Sequence, residues 1–304
     1  MVLYRPAGIH CVLYAMFERN ERIDDGLMRA QLEAVLAARV DGVTILGLAT
    51  EANKLSAAER IGLMRRVASD LRGRAPLSVT ISGNSVAEQV AQLEAAQDCG
   101  ADWLILQPPA AGAVPASEYI AFFGRVADAS RLPVAIQNAP AYFGRGLTTA
   151  ELRELTERHP SICILKGEGP AADIAELIRT LGRDIPVLNG RGGLEMTDSF
   201  RAGCAGLILA PDLVDRAVRC FNAYSSGNEP EAERIYAASL PAIVFIMQSL
   251  ESLVVYGKRL FAARAGLGEV HDRRPAISPT DFGLAIVKRL ANRLGPFGSL
   301  EDYS

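Results

Sequence analysis

Through residue 227 the chain alternates short apolar runs with longer segments whose apolar positions recur every three to four residues. The apolar runs are Ile9–Phe17, Val43–Gly47, Leu77–Ser82, Trp103–Gln107, Val134–Asn138, Ile162–Lys166, Val187–Asn189 and Gly206–Ala210. Most are rich in Val, Ile and Leu and lack polar alternation, which predicts strands covered on both faces. The segments between them, including Asp25–Arg39, Ser56–Leu71, Val86–Cys99, Thr149–Arg158 and Ala171–Leu181, predict amphipathic helices. Ser56 with Glu59 fits a capping box, and Gly100 and Gly182 stand where helices stop. Repeated β-then-α units with right-handed crossovers predict a (β/α)8 TIM barrel over residues 1–227. A doubly wound open sheet has the same periodicity and stays open as the alternative.

After residue 228 the pattern is helical throughout, in Glu231–Ser249, Leu253–Ala265 and Thr280–Leu294, with Asp272–Pro279 as a connector. Residues 228–304 are therefore expected to form a C-terminal helical extension packed on the barrel or on a neighbouring subunit. The apolar Leu240–Met247 stretch is expected to be core or subunit interface.

Composition narrows the classes of function. With 304 residues, 49% hydrophobic, 22% charged and a formal net charge of -3, the chain reads as a globular protein with a large core. The absence of a basic run argues against a nucleic-acid partner. No apolar stretch reaches the ~18 residues of a membrane span, so no membrane role is expected. The N-terminal run Gly8 to Phe17 is broken by His10 and reads as a first strand, not a secretory signal. Cys11, Cys99, Cys163, Cys204 and Cys220 are scattered without a CxxC, and the histidines are only His10, His159 and His271. Neither a disulfide framework nor a metal site is expected, and the cysteines read as core residues in a reducing cytoplasm. His10 reads as a core or barrel-bottom histidine.

One detail outweighs these totals. Of 32 basic residues only Lys54, Lys166, Lys258 and Lys288 are lysines, and Lys166 closes the apolar run Ile162-Cys-Ile-Leu165. Barrel active sites lie at the C-terminal ends of the strands. That places Gly47–Glu51, Gln107, Gln137, Asn138, Lys166, Glu168, Asn189–Gly193 and Pro211 on the short list. A free lysine amine is almost wholly protonated at pH 7, with about one in 2,500 neutral, and desolvation favours the neutral nucleophile that forms Schiff bases. The plainer reading is a lysine that snorkels to solvent or pairs with Glu168. Asn189-Gly-Arg-Gly-Gly193 follows the seventh strand, where barrels often hold phosphate; simple turn geometry is the alternative.

Three segments together resemble the dihydrodipicolinate synthase/N-acetylneuraminate lyase family. Val43-Thr-Ile-Leu-Gly-Leu-Ala-Thr-Glu51, continuing to Lys54-Leu-Ser-Ala-Ala-Glu-Arg60, is similar to its Gly-Thr-Thr-Gly-Glu region. Leu132-Pro-Val-Ala-Ile-Gln-Asn-Ala-Pro140 resembles its Tyr-Asn-x-Pro strand, and Ile164-Leu-Lys-Gly-Glu168 the strand bearing its Schiff-base lysine. Order and spacing match, and the likeness runs over almost the whole chain. It implies a homo-oligomeric class I aldolase barrel, a dimer or tetramer, that needs no cofactor or metal and acts on small 2-oxo acids. Lys166 is then the Schiff-base lysine.

The departures narrow the chemistry. Gln137 stands where the family has its proton-shuttling tyrosine, and Leu48 and Ala49 where it has two threonines. Pro109 and Ala110 replace a tyrosine pair, and Tyr142 falls where synthases place an arginine, with Arg145 nearby. A glutamine amide is no base near neutral pH, although it orients a substrate oxygen. The missing relay and arginine argue against a synthase role. Ile136-Gln-Asn-Ala-Pro140 and Thr50-Glu51 resemble the 2-keto-3-deoxy-L-arabonate dehydratase branch, so a 2-keto-3-deoxy sugar-acid dehydratase is expected. Lys166 and Gln137 are its catalytic candidates. Amides near Ala49 and Thr50 are expected to bind the substrate carboxylate, with Leu48, Tyr142, Gly190 and Ile208 lining the pocket. Glu51 is expected to buttress the loop. The alternatives are a pyruvate-dependent aldolase or synthase-like condensing enzyme, and a non-catalytic 2-oxo acid binding protein.

Overall fold

In the computed structural model, which describes residues 4–110 and 114–299, the apolar runs close on one another. The strands are β1 (Gly8–Val12), β2 (Gly42–Ile45), β3 (Leu77–Ile81), β4 (Trp103–Leu106), β5 (Val134–Asn138), β6 (Ile162–Gly167), β7 (Val187–Asn189) and β8 (Gly206–Leu209). Each pairs in parallel with the next, and β8 pairs with β1, so the sheet is a closed barrel and not an open one. The strands are buried almost throughout because helices cover them outside and their own side chains fill the interior.

The helices between strands are α1 (Asp25–Ala37), α2 (Ala57–Leu71), α3 (Val86–Asp98), α4 (Ala116–Ala127), the short α5 (Pro140–Phe143), α6 (Thr149–Arg158), α7 (Ala171–Leu181), α8 (Met196–Arg201) and α9 (Val214–Ser225). The Ser56/Glu59 capping box forms as expected, and Thr148 with Glu151 forms a second at α6. Gly182, at φ 84°, ends α7 in a conformation that side chains resist.

One predicted strand is too long. The sheet ends at Val12, yet Leu13, Tyr14, Ala15, Met16 and Phe17 stay buried. They are apolar because they run beneath the C-terminal helices, where Phe17 bridges to Ile23 and to His271.

The C-terminal helices are α10 (Glu229–Ile246), α11 (Leu250–Ser252), α12 (Lys258–Ala265) and α13 (Asp281–Leu294), with a wide π-turn over Leu253–Gly257 joining α11 to α12. The chain bends by 109° between α10 and the run Leu250–Ala265. That bend returns the chain to the barrel mouth. No single helix among the described residues is long and apolar enough to cross a membrane. Arg264 is buried and grips Asp215 of α9 at 2.6 Å while donating to the Asp212 carbonyl. Breaking one side of such a pair strands a buried charge at a cost of about 3–5 kcal/mol, so the pair ties the extension to the barrel. All five cysteines are free. His10 packs edge-on against Trp103 inside the barrel, and burial lowers its pKa to about 4, so it is a neutral core residue.

Candidate active site

Strand register assembles the centre of the site. Gln137 of β5 lies beside Lys166 of β6, and alternation turns Lys166 and Glu168 to the same side. All three are buried. The Glu168 carboxylate is the hub. Its Oε1 lies 3.1 Å from Lys166 Nζ and accepts from Gln137 Nε2 at 3.1 Å; its Oε2 accepts from the Arg191 amide at 2.8 Å. Gln137 Oε1 in turn accepts from Gln107 Nε2 at 2.9 Å, which orients the Gln137 amide toward Glu168. Lys166 thus does not snorkel to solvent but pairs with Glu168, as the plainer reading allowed, and its buried amine is in hydrogen-bond contact with a carboxylate.

The loop after β2 forms the opposite wall. Leu48 and Ala49 line the cavity that contains Lys166. Thr50 does not serve as expected: its amide donates to the Gly47 carbonyl at 3.1 Å and its hydroxyl to the Leu13 carbonyl at 2.6 Å. Both polar groups are used to tie the loop to the end of β1, so Thr50 is an anchor. Among the described residues the amides of Leu48 and Ala49 have no acceptor, which shifts the candidate anion donors one residue toward the N-terminus. Glu51, buried and left-handed at φ 53°, is the expected buttress, held between Lys54 and Lys258.

The space at Lys166 is small, about 40 Å³. Ile208 and Tyr142 line it as expected, with Val12, Leu209 and Ala210 from the barrel and Met247, Leu250 and Leu253 from the extension. Burial, then the Glu168 carboxylate, push the Tyr142 phenol up to about 12 against a smaller pull from Arg191. Beyond Leu48, Tyr142 and Leu250 the space opens into a cleft of about 490 Å³ lined by Gln107, Asn84 and Arg145. Arg145 holds the Pro109 and Ala110 carbonyls. An open groove of about 640 Å³ between α2 and α3 has no buried polar cluster, so size does not locate the site.

In the loop after β7 Gly192 and Gly193 take positive φ, as a turn requires, while Gly190 lies outside the lining of the cavity and the loop amides next to it are already taken. The Arg191 amide is taken by Glu168, and the Gly190 amide by Asn189 Oδ1 at 3.0 Å. The anion this loop holds is the protein's own carboxylate. Gly190 serves by lacking a side chain, since a Cβ there would lie 2.2 Å from Glu168 Oε2.

Glu168 is the residue that sequence reasoning undervalued. The signal was the Lys-x-Glu spacing at a strand end, which puts both side chains on one face. Among the described residues no group of three His, Cys, Asp or Glu could hold a metal ion.

A model of the dihydrodipicolinate synthetase family matches residues 5–281. An L-2-keto-3-deoxyarabonate dehydratase of Azospirillum brasilense is 27% identical over 298 residues, covering 96% of each chain. A 4-hydroxy-tetrahydrodipicolinate synthase of Oenococcus oeni is 31% identical over 193 residues, 63% of this chain and 65% of its own. The crystal structure of YagE from Escherichia coli K12, a prophage protein of the dihydrodipicolinic acid synthase family in complex with pyruvate, superposes with a TM-score of 0.87. It is 23% identical and covers 95% of this chain and 98% of its own, a likeness of fold.

Proposed function

The chain belongs to the dihydrodipicolinate synthetase family of lyases, and from that premise we propose that it dehydrates a 2-keto-3-deoxy sugar acid through an imine on Lys166. The observation that carries this reading is Glu168, a buried carboxylate touching both Lys166 and Gln137 where the resembled relay would need tyrosine. The dehydratase of Azospirillum brasilense, similar end to end, supports it.

The chemistry follows from one carboxylate serving in turn as base and acid. Glu168 takes a proton from the Lys166 ammonium, and the freed amine attacks the C2 carbonyl. Glu168 then protonates the departing oxygen of the carbinolamine, water leaves, and the iminium withdraws electrons from C3. Glu168, again a carboxylate, removes a C3 proton to give the enamine. The same proton passes to the C4 hydroxyl, which leaves as water while the electron pair forms the C3–C4 double bond. Hydrolysis releases the unsaturated 2-oxo acid, which tautomerises in solution, and frees Lys166. One water is lost overall and Glu168 ends as it began.

Dehydration suits this site because its proton donor and acceptor act on adjacent carbons, within reach of one carboxyl group. Gln137 and Gln107 hold the carboxylate and take no proton. The amides of Leu48 and Ala49 bind the substrate carboxylate, and the distal hydroxyls extend past Tyr142 into the larger cleft.

The test is incubation with a 2-keto-3-deoxypentonate and with pyruvate under borohydride, followed by peptide mass spectrometry. An adduct on Lys166 that lacks one water is expected with the sugar acid, and no adduct in Lys166→Arg. Release of pyruvate in place of water would replace this reading with an aldolase. No adduct with either compound would remove the mechanism.

A further inference from the structure

The lysines of this chain are not spread over its surface. Lys54, Lys166 and Lys258 all pair with two buried carboxylates at the barrel mouth, and only Lys288 lies elsewhere, on α13. Lys166 and Glu168 belong to the chemistry. Lys258, in the C-terminal extension, does not touch the cavity and has no role in the mechanism above. It is nonetheless fully buried, and so is its partner Glu51.

The surroundings define what this ammonium does. Its Nζ lies 2.7 Å from Glu51 Oε1, 3.9 Å from Asp272 Oδ1 and 5.1 Å above the Phe17 ring. The other oxygen of Glu51 is held by Lys54 Nζ at 2.6 Å, and Lys54 also donates to the Arg273 carbonyl. Burial lowers the Lys258 pKa while Glu51 opposes that shift. Two cations therefore grip the two oxygens of one carboxylate, and that carboxylate hangs from a non-glycine residue in the left-handed region. A side chain in that conformation is disfavoured unless something holds it. The turn it closes runs from Gly47 to Glu51, with Thr50 and Glu51 donating to Gly47 and Leu48. Leu48 and Ala49 are the middle of that turn.

We propose that Lys258 is a positioning residue for the substrate carboxylate: by clamping Glu51 it holds the Gly47–Glu51 turn in the shape that presents the Leu48 and Ala49 amides. This rests on the reading above, in which those amides bind the carboxylate of a 2-oxo acid. It makes the C-terminal extension part of substrate recognition. The clamp acts on binding and not on proton transfer, because Glu168 and Lys166 sit on β6 and its following residue, apart from this turn.

The test separates carboxylate recognition from mere folding. Borohydride trapping on Lys166, read by peptide mass spectrometry, is titrated with pyruvate and with acetaldehyde, which has the reactive carbonyl but no carboxylate. In Lys258→Met the pyruvate concentration for half-maximal trapping is expected to rise about tenfold or more, the scale of a lost charged hydrogen bond. Acetaldehyde trapping stays within about twofold, since the lysine itself is intact. Should Lys258→Met fail to fold because it strands Glu51, the double variant Glu51→Gln/Lys258→Met removes both charges and is held to the same criterion. If neither folds, hydrogen exchange on the wild-type protein decides: the trapped pyruvate adduct must slow exchange in 47–51 and in 253–262 together.

A folded variant with unchanged pyruvate titration, or an adduct that leaves 253–262 unaffected, overturns this inference alone. An absent wild-type adduct on Lys166 overturns the Schiff-base reading and this inference with it.

Discussion

Replacing Glu168 by glutamine keeps the side chain's size and removes its ability to carry a proton. The geometry can survive the change. An amide oxygen facing the Arg191 amide replaces Oε2, and the Gln137 and Gln107 amides can turn over in sequence to receive the new N–H groups. What is lost is the base for the Lys166 ammonium and for C3, and the acid for the carbinolamine oxygen and for the C4 hydroxyl. A positioned acid–base group contributes about 10²–10⁴ in rate, or roughly 3–5 kcal/mol of barrier at 1.36 kcal/mol per tenfold. Imine formation also loses the carboxylate that lies 3.1 Å from Lys166 Nζ and then depends on solvent for its proton transfers, so Glu168→Gln is expected to form the imine slowly and to stall there. Stopped-flow turnover of a 2-keto-3-deoxypentonate should fall about 10²–10⁴-fold, while borohydride captures on Lys166 an adduct that still contains the C4 hydroxyl. A variant with kcat within about threefold of wild type, or one whose trapped adduct has already lost the C4 hydroxyl, would refute the shuttle role.

Three other outcomes follow from the same contacts. Gly190→Ala places a Cβ 2.2 Å from Glu168 Oε2, so it should cut kcat about 10²-fold with an unchanged far-UV circular dichroism spectrum; retained activity would show that Glu168 need not sit where it does. Lys166→Arg should abolish trapping by pyruvate, and a persistent adduct would move the Schiff base to another amine. Asp212, fully buried and accepting from Tyr14 Oη at 2.6 Å, has a pKa raised to about 6, chiefly by desolvation. Its folded pKa lies above its unfolded value near 3.8, so the stability it contributes is full below pH 4 and is lost as the pH rises to 6. Relative to wild type, Asp212→Asn should gain about 2 kcal/mol of unfolding free energy between pH 4 and pH 7. Urea melts at both values measure this, and a pH-independent difference would sink the argument.

The sequence alone determined the alternation of strands and helices, because a strand buried on both faces must be apolar along its length and a crossover helix must be apolar on one side; closure into a barrel, and not an open sheet, came from the pairing of β8 with β1. Those demands act residue by residue, and they leave a periodicity that can be read without a structure. Lys166 was legible for a similar reason: a lone lysine at the end of an apolar run stands out in a chain that otherwise uses arginine. The likeness to the lyase family came from motifs of adjacent residues and was equally local.

Tertiary structure decided the rest. Gln137 and Glu168 meet only because β5 and β6 pair in one particular register, and the Arg191 amide reaches Glu168 only because β7 ends beside them. Thr50 changed from carboxylate donor to anchor once the Leu13 carbonyl lay within reach of its hydroxyl. Met247, Leu250 and Leu253 became walls of the cavity through the 109° bend that turns the extension back over the mouth. Such contacts depend on strand register and helix angle, which sum small rotations over many residues. No single stretch of sequence carries a mark of that sum, so burial could be read in advance and the meeting of the functional groups could not.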